Sequence, residues 1–360
     1  MGNTLNPLIH HSKNKISNPA QLGGIETSVL DNGLGKGVRI AWVNTGGGLR
    51  YKIVLDRGMD IADAFFNANS LAWISHAGVV QPQPFSNQGI DWLRTFAGGL
   101  LTTCGLSHTG GPESDQYGTR GLHGNYSNIA AELISVKQPD LRNGDLHMGV
   151  TGVVREATTF GPQLELKRTI SSVLGESYLK IHDEITNLGN TPAPHMLLYH
   201  INCGYPLIDQ GTDIIWKGQW ESMDKDPSNR IFNATNNFKK CPEPMEAHAG
   251  FGEDVAFITP HAEENGTAIC GFVNEKLGLG LSIKFNTLQL PWLINWQHWG
   301  KGEYVTALEP ATTPPIGQAK ARNEGTLIEL APGEKRNYDL ELKVITKEDE
   351  LENLININKQ

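Results

Sequence analysis

Glu309 closes the stretch Glu303-Tyr-Val-Thr-Ala-Leu-Glu309-Pro-Ala-Thr-Thr-Pro-Pro315. Read with a period of two, Val305, Ala307 and Glu309 share one face of a strand, and Tyr304, Thr306 and Leu308 share the other. A carboxylate at the end of an apolar strand face is either a salt-bridge partner or an acid–base group in a cleft. Pro310 has no N–H for a sheet ladder, so regular pairing is expected to stop close to Glu309. A second stretch, His195-Met-Leu-Leu-Tyr-His200-Ile-Asn202, is apolar on both faces, yet His200 and Asn202 share a face with Met196 and Leu198. A buried imidazole must be hydrogen-bonded, and a satisfied core histidine is the commoner reason to find one. The turn formers Cys203-Gly-Tyr-Pro206 end this strand, so His200 and Asn202, like Glu309, are polar groups at a strand end facing an apolar interior.

Planar and hydroxyl-bonding residues gather nearby. Leu290-Pro-Trp-Leu-Ile-Asn-Trp-Gln-His-Trp-Gly300 brings Trp292, Trp296 and Trp299 together with Gln297 and His298. Tryptophan faces stack on the C–H faces of sugars while amides and imidazoles bond hydroxyls, although tryptophans are also ordinary core residues. In Gly121-Leu-His-Gly-Asn125, glycines on both sides of His123 let backbone approach something closely. Arg57, in Asp56-Arg-Gly-Met-Asp-Ile61, reads first as a salt-bridge residue and second as a ligand contact at a cleft lip. Arg94 lies in the loop-rich region 76–124. No metal and no cofactor are expected. Cys104, Cys203, Cys241 and Cys270 are far apart and form no CxxC pair, and His182, His195 and His200 have no closed ligand spacing. Gly33-Leu-Gly-Lys-Gly37 lies between strands with no helix after it, which makes it a turn and not a phosphate loop.

The elements that must hold these groups are mostly strands. Val38–Val43 and Leu49–Leu55 alternate around the turn Asn44-Thr-Gly-Gly-Gly48. Segments 149–155, 163–170, 178–185, 268–273 and 280–285 continue the pattern at short spacing. Forty glycines and nineteen prolines, scattered and not periodic, favour short strands and turns. Helical periodicity is convincing only around Glu348–Ile357. The expected fold is all-β, a large, mostly antiparallel sandwich with few short helices. One domain spanning 1–360 is expected, with a polar N-terminal arm over 1–20 and a C-terminal tail or helix over 347–360. A net charge of −9 argues against nucleic-acid and anionic-membrane partners, and no run of about eighteen apolar residues exists. A small neutral ligand remains compatible, as does a homodimer. Without a basic segment followed by an apolar run at the N-terminus, a cytoplasmic location is expected.

At this point the sequence resembles the aldose 1-epimerase (galactose mutarotase-like) proteins, and most of all their DUF4432-type branch. The resemblance runs from about Asp56 to Lys343. It is carried by Leu55-Asp-Arg-Gly-Met-Asp-Ile61, Gly98-Gly-Leu-Leu-Thr-Thr-Cys-Gly105, Leu122-His-Gly124, Ile181-His-Asp-Glu-Ile-Thr-Asn-Leu-Gly-Asn-Thr-Pro192, Leu198-Tyr-His-Ile-Asn202 and Leu308-Glu-Pro310. It implies a β-supersandwich and an isomerase acting on a carbohydrate without a cofactor. By the same resemblance Glu309 is the general base, His200 the general acid, and His123 a sugar-binding residue. Arg57 or Arg94 would stand for the family's substrate-binding arginine, and Asn202, Trp296, Gln297 and His298 for further sugar contacts. Two motifs depart from the family. Mutarotases carry Asn-His-Ser/Thr-Tyr-Phe-Asn-Leu around the acid where this chain has Tyr-His-Ile-Asn-Cys-Gly-Tyr205, and Leu-His-Gly-Gly is here Leu-His-Gly-Asn125. The family's site aspartate has only Glu253 and Asp254 near its place.

Anomer interconversion needs a base for the C1 hydroxyl proton and an acid for the ring oxygen, roles in which neutral pH would supply carboxylate and imidazolium. Two other readings use the same residues: epimerisation or isomerisation at carbon on a keto-sugar or sugar acid, and carbohydrate binding without turnover.

Overall fold

The inward faces of the long strands are nearly continuous Leu, Ile and Val, and they are what the fold is assembled on. The computed structural model describes residues 15–85, 88–224, 231–233 and 238–359. Among these residues the strands form four sheets. The largest has eight strands in the spatial order Asp213–Ile215, Thr267–Asn274, Leu279–Asn286, Lys335–Ile345, Tyr178–Asn187, Gln163–Val173, His147–Ala157 and Glu132–Lys137. A seven-stranded sheet runs Gly218–Ser222, Asp254–Pro260, Trp292–Gly300, Glu303–Ala311, Ala193–Gly204 and Ile328–Leu330, with Thr102–Leu106 also paired to Ala193–Gly204. A five-stranded sheet from residues 24–70 and a small hairpin, Glu113–Asp115 with Gly118–Arg120, complete the set.

Period-two burial explains how the two large sheets meet. In Gln163–Val173 every second residue is buried, and Leu164, Leu166 and Ile170 enter the main core with Ile181 and Ile185 of the next strand. The seven-stranded sheet contributes Leu197, Tyr199, Ile201, Leu293, Trp299 and Leu308 from its facing side. Each such side chain, fully buried, stabilises by about 1.5–3 kcal/mol. Every strand expected from the sequence forms, most of them longer than expected: 149–155 grows to His147–Ala157.

The C-terminal helix is present as Glu348–Asn356, its apolar stripe Leu351 and Leu354 packed on Ile215, Val273 and Ile345. A second helix, Gln318–Asn323, was not legible in the sequence. Its N-terminal N–H of Ala319 is satisfied in trans by the Glu113 carboxylate, which explains how so short a segment is held. Among the described residues no helix is long and apolar enough to cross a membrane. Of the N-terminal arm, residues 1–14 lie outside the described part, and Pro19–Gln21 form a 3-10 turn capped by Asn18.

The two acids beside Arg57 are structural. Asp56 receives the Arg39 guanidinium and Asp60 accepts from Thr103, which leaves neither at a cleft lip. His195 is a satisfied core histidine: its Nδ1–H donates to the Leu106 carbonyl at 3.0 Å and its Nε2 accepts from Tyr338 at 2.8 Å. Burial lowers its pKa from 6.5 to about 4. A histidine lowered on folding contributes stability above its unfolded pKa, and that contribution is lost as pH falls through the folded value. Between pH 6.5 and 4, wild type should therefore lose about 3 kcal/mol relative to His195→Gln. Urea unfolding of both proteins at the two pH values measures it.

Candidate active site

The face of the seven-stranded sheet turned away from the main core carries the chemistry. Pairing of Leu198 with Ala311 and of Ile201 with Leu308 puts His200 across from Glu309 on adjacent strands. The intervening pairs, Tyr199 with Pro310 and His200 with Glu309, are missing from this ladder. Pro310, lacking an N–H, lies in the gap. Pairing nevertheless continues past it, Leu293 with Pro310 and Trp292 with Ala311, so the strand ends two residues later than its proline suggested. The neighbour on the other side, Trp292–Gly300, supplies the missing order.

His200 Nε2 stands 3.2 Å from Glu309 Oε1, with the two residues only 6% and 2% exposed. Around them lies an apolar cluster separate from the main core: Ile294, directly across from Glu309 on the neighbouring strand, with Cys104, Leu198, Phe257, Val255 and Trp92. Phe96 lies 5.3 Å from the His200 ring and Trp296 meets it edge-on at 5.4 Å. Trp92 stacks on Phe96 at 4.4 Å and reaches His123 at 5.0 Å. The His123 ring sits 6.4 Å from His200 at right angles.

His123 owes its place to its backbone. It adopts a left-handed φ of 55°, and Gly124 follows at 73°. A Cβ on Gly124 would meet the Gly105 carbonyl at 2.5 Å, so only glycine lets the loop lie this close to the Thr102–Leu106 strand. The Gly110 N–H donates to His123 Nδ1 at 3.3 Å, which leaves the Nε2–H as a donor.

Burial sets the charge state. It lowers His200 to about 3, helped by the neighbouring His123 and opposed by the Asn202 side chain. His123 is likewise lowered to about 3, by burial and then by His108. Burial raises Glu309 well above the ordinary carboxylate range, and the nearby Glu253 adds to this. Both shifts run against the imidazolium and carboxylate expected from neutral pH. An apolar enclosure favours a neutral imidazole beside a protonated carboxyl.

Of the other residues expected here, Trp296 forms part of the wall and its indole N–H donates to Glu253 at 2.7 Å. His298 extends that wall, stacked 11° from Trp296 and donating from Nδ1 to the Gly252 carbonyl. Asn202 lies on the His200 face, its amide donating to the carbonyls of Gly99 and His200. Gln297 does not join the site. Alternation along its strand turns it to the core side with Trp299, where it bonds Phe238, Asn295 and Trp299. Neither arginine meets the pair. Arg94 is 82% exposed and bound to Asp91. Arg57 is buried, its guanidinium donating to the carbonyls of Ser127, Val80 and Thr95, so it anchors the segment that carries Trp92 and Phe96. Trp92 and Phe96 themselves escaped notice in the sequence. Their spacing of four, an apolar pair one helical turn apart in a loop-rich region, was the available signal, and the 3-10 turn Asp91–Arg94 is what produces it. Among the described residues no three His, Cys, Asp or Glu side chains gather as a metal site.

Comparison with known proteins agrees with the fold. Residues 35–344 match the family described as the domain of unknown function DUF4432. A candidate aldose 1-epimerase from Klebsiella pneumoniae is 25% identical, with a TM-score of 0.84 over 93% of this chain and 87% of that one. A galactose mutarotase-like protein from Clostridium acetobutylicum is 13% identical, with a TM-score of 0.59 over 90% and 98%. A galactose 1-epimerase from Lactobacillus acidophilus is 12% identical, with a TM-score of 0.59 over 89% and 98%. None of the curated proteins matches the chain significantly. The chain belongs to the DUF4432 family and folds as a galactose mutarotase-like sandwich.

Proposed function

We propose that this protein interconverts the anomers of an aldose, with Glu309 and His200 as its acid–base pair. The single observation that carries the reading is the 3.2 Å contact of a buried carboxyl with a buried imidazole beneath aromatic walls. Such walls suit the C–H faces of a pyranose, and His123 offers a neutral N–H to a hydroxyl. The likeness to a candidate aldose 1-epimerase and to a galactose 1-epimerase supports the same substrate class.

The neutral pair is matched to the open-chain sugar. His200 takes the C5 hydroxyl proton as that oxygen attacks C1, and Glu309 gives its proton to the carbonyl oxygen. The ring closes and leaves imidazolium and carboxylate. The reverse sequence opens either anomer, and rotation about C1–C2 between the two steps exchanges the faces. One proton is conserved throughout, and each group contributes on the order of 10²–10⁴-fold. A cytoplasmic setting belongs to the same proposal, and the four buried free cysteines support it.

Saturation transfer between anomer resonances, run in D₂O over a panel of neutral aldoses, tests the reading. Enzyme-dependent exchange without deuterium at carbon is expected. No exchange with any aldose overturns it, and deuterium at carbon transfers the pair to epimerisation at carbon. The pH profile is a second expectation. With His200 lowered to about 3 and Glu309 raised, the pair keeps its one proton through the acidic range, so kcat/KM should show no fall near pH 6.5 and decline only on the alkaline side.

A further inference from the structure

Asn128 is 1% exposed, and both ends of its side-chain amide are bonded. Its Nδ2–H donates to the Thr95 hydroxyl at 3.0 Å, and its Oδ1 accepts from the Gln83 N–H at 3.2 Å. Thr95, itself buried, passes the contact on: its hydroxyl donates to the Trp92 carbonyl at 3.2 Å. Trp92 and Phe96 stack on one another either side of Thr95, their rings 6.4 and 5.3 Å from that of His200. The segment that carries them forms no strand between Gln88 and Phe96, and its regular element there is the 3-10 turn Asp91–Arg94. A segment without a sheet ladder takes its position from the other bonds it makes. Asn128 also closes the 3-10 turn Tyr126–Asn128, just beyond His123. One short stretch of chain therefore sets the His123 ring beside Trp92 and holds the aromatic pair over His200.

We propose that Asn128 is a positioning residue for the reaction: through Thr95 it holds Trp92 and Phe96 down over His200 and Glu309, and so keeps water from the pair. This rests on the reading of Glu309 and His200 as the acid–base pair. A buried amide costs free energy unless its bonds are made, and an apolar residue of that volume would fill the same space. What the amide adds is a fixed setting for the turn between the two rings. Arg57 and Ser75 bind the same segment at backbone carbonyls, Thr95 at 2.9 Å and Phe96 at 2.6 Å, and leave the Thr95 hydroxyl to Asn128. Burial is the largest cause of the charge states of both His200 and Glu309, so a roof that lifts returns each group toward its ordinary value. Other titratable groups around the pair are His123 from the loop above, the Cys104 thiol in the same apolar cluster, and Glu253 on the Trp296 indole. Asp91 and Arg94 on the roof pair with each other at the surface. Asn128 carries no charge and its amide is bonded to Thr95 and Gln83, so replacing it changes the enclosure and leaves those charges in place.

The enclosure can be read without any sugar. In ¹⁵N-labelled wild type the His200 ring, assigned by its loss in His200→Gln, should titrate with a midpoint of about 3. In Asn128→Leu that midpoint should rise by at least about one pH unit toward the ordinary histidine value. The alkaline limb of kcat/KM should move to lower pH, and kcat/KM at neutral pH should fall roughly 10-fold. A purely structural asparagine would lower the melting temperature and leave the titration where it is. Thr95→Val removes the hydroxyl that Asn128 holds and keeps the shape, so it should give the same shifts. The double variant should add little to either, as for two residues acting through one bond. A variant that melts cooperatively yet titrates and turns over as wild type does overturns the proposal, and so does a double variant whose shifts are the sum of the two. Should Asn128→Leu fail to fold, Thr95→Val alone decides. Wild type with no anomer exchange is a different result: it removes the acid–base reading and leaves the His200 titration to judge the roof.

Discussion

Glu309→Gln is expected to slow anomer exchange by roughly 10²–10⁴-fold while making the protein more stable at high pH. Gln fills the same volume, so the walls formed by Trp296 and Phe96 have no reason to collapse. What it removes is the exchangeable proton opposite His200 Nε2, 3.2 Å away. The stability half follows from linkage. Burial and then Glu253 raise the folded pKa of Glu309 well above 4.5. A group raised on folding contributes stability below its unfolded pKa and loses it as pH rises toward the folded value. Gln does not titrate, so the two proteins should match near pH 4 and diverge above it, the variant holding the advantage by pH 8. Saturation transfer gives the rate and urea midpoints at the two pH values give the stability. Exchange near the wild-type rate would remove Glu309 from the mechanism. A variant no more stable at pH 8 would mean that the carboxyl is not held protonated.

The sheet and the meeting of His200 with Glu309 are legible in the sequence because both are written in period two. Leu198, His200 and Asn202 fall on one face by simple alternation, as do Ala307 and Glu309, and the structure turns those faces the same way. The same rule applied to Trp292–Gly300 separates Trp296 and His298 from Gln297 and Trp299, and the structure makes that division. Gln297 stands next to Trp296 and His298 in the chain, but alternation turns it to the opposite face. The arginines failed for another reason. A guanidinium in an Asp-Arg-Gly-Met-Asp turn looks like a charge seeking a charge, yet Arg57 is consumed by three backbone carbonyls from distant loops. Backbone acceptors leave no trace in a sequence. Trp92 and Phe96 reach His200 through a loop whose path depends on those same carbonyl contacts, and the charge state depends on enclosure, which only the assembled walls create.

Arg168→Met should cost about 3–5 kcal/mol of stability, the largest loss expected from a single change away from the site. Arg168 occupies an inward position in Gln163–Val173, where alternation calls for an apolar residue, and it is fully buried. Its guanidinium holds the Asp183 carboxylate with two bonds of 2.9 and 2.7 Å and also donates to Thr103 at 2.9 Å. Tyr199 donates to the same Asp183 oxygen at 2.7 Å. With the arginine gone, Asp183 is a buried anion left with one hydroxyl. That uncompensated charge, more than the lost attraction, is what costs. Asp183→Asn in the same protein keeps an acceptor for Tyr199 and removes the charge, so the double variant should recover more than half of the loss. If the double variant is no better than Arg168→Met, the cost lies in packing or at Asp60, whose 3.4 Å ion pair with Arg168 is also lost, and not at Asp183. Tyr199 and His200 are neighbours on opposite faces of one strand, as are Thr103 and Cys104 on the next. The network therefore holds the strands that carry His200 and Glu309 without touching either side chain. Turnover per folded molecule should survive in Arg168→Met even as the urea midpoint falls, and measuring both in one preparation separates a residue that supports the site from one that works in it.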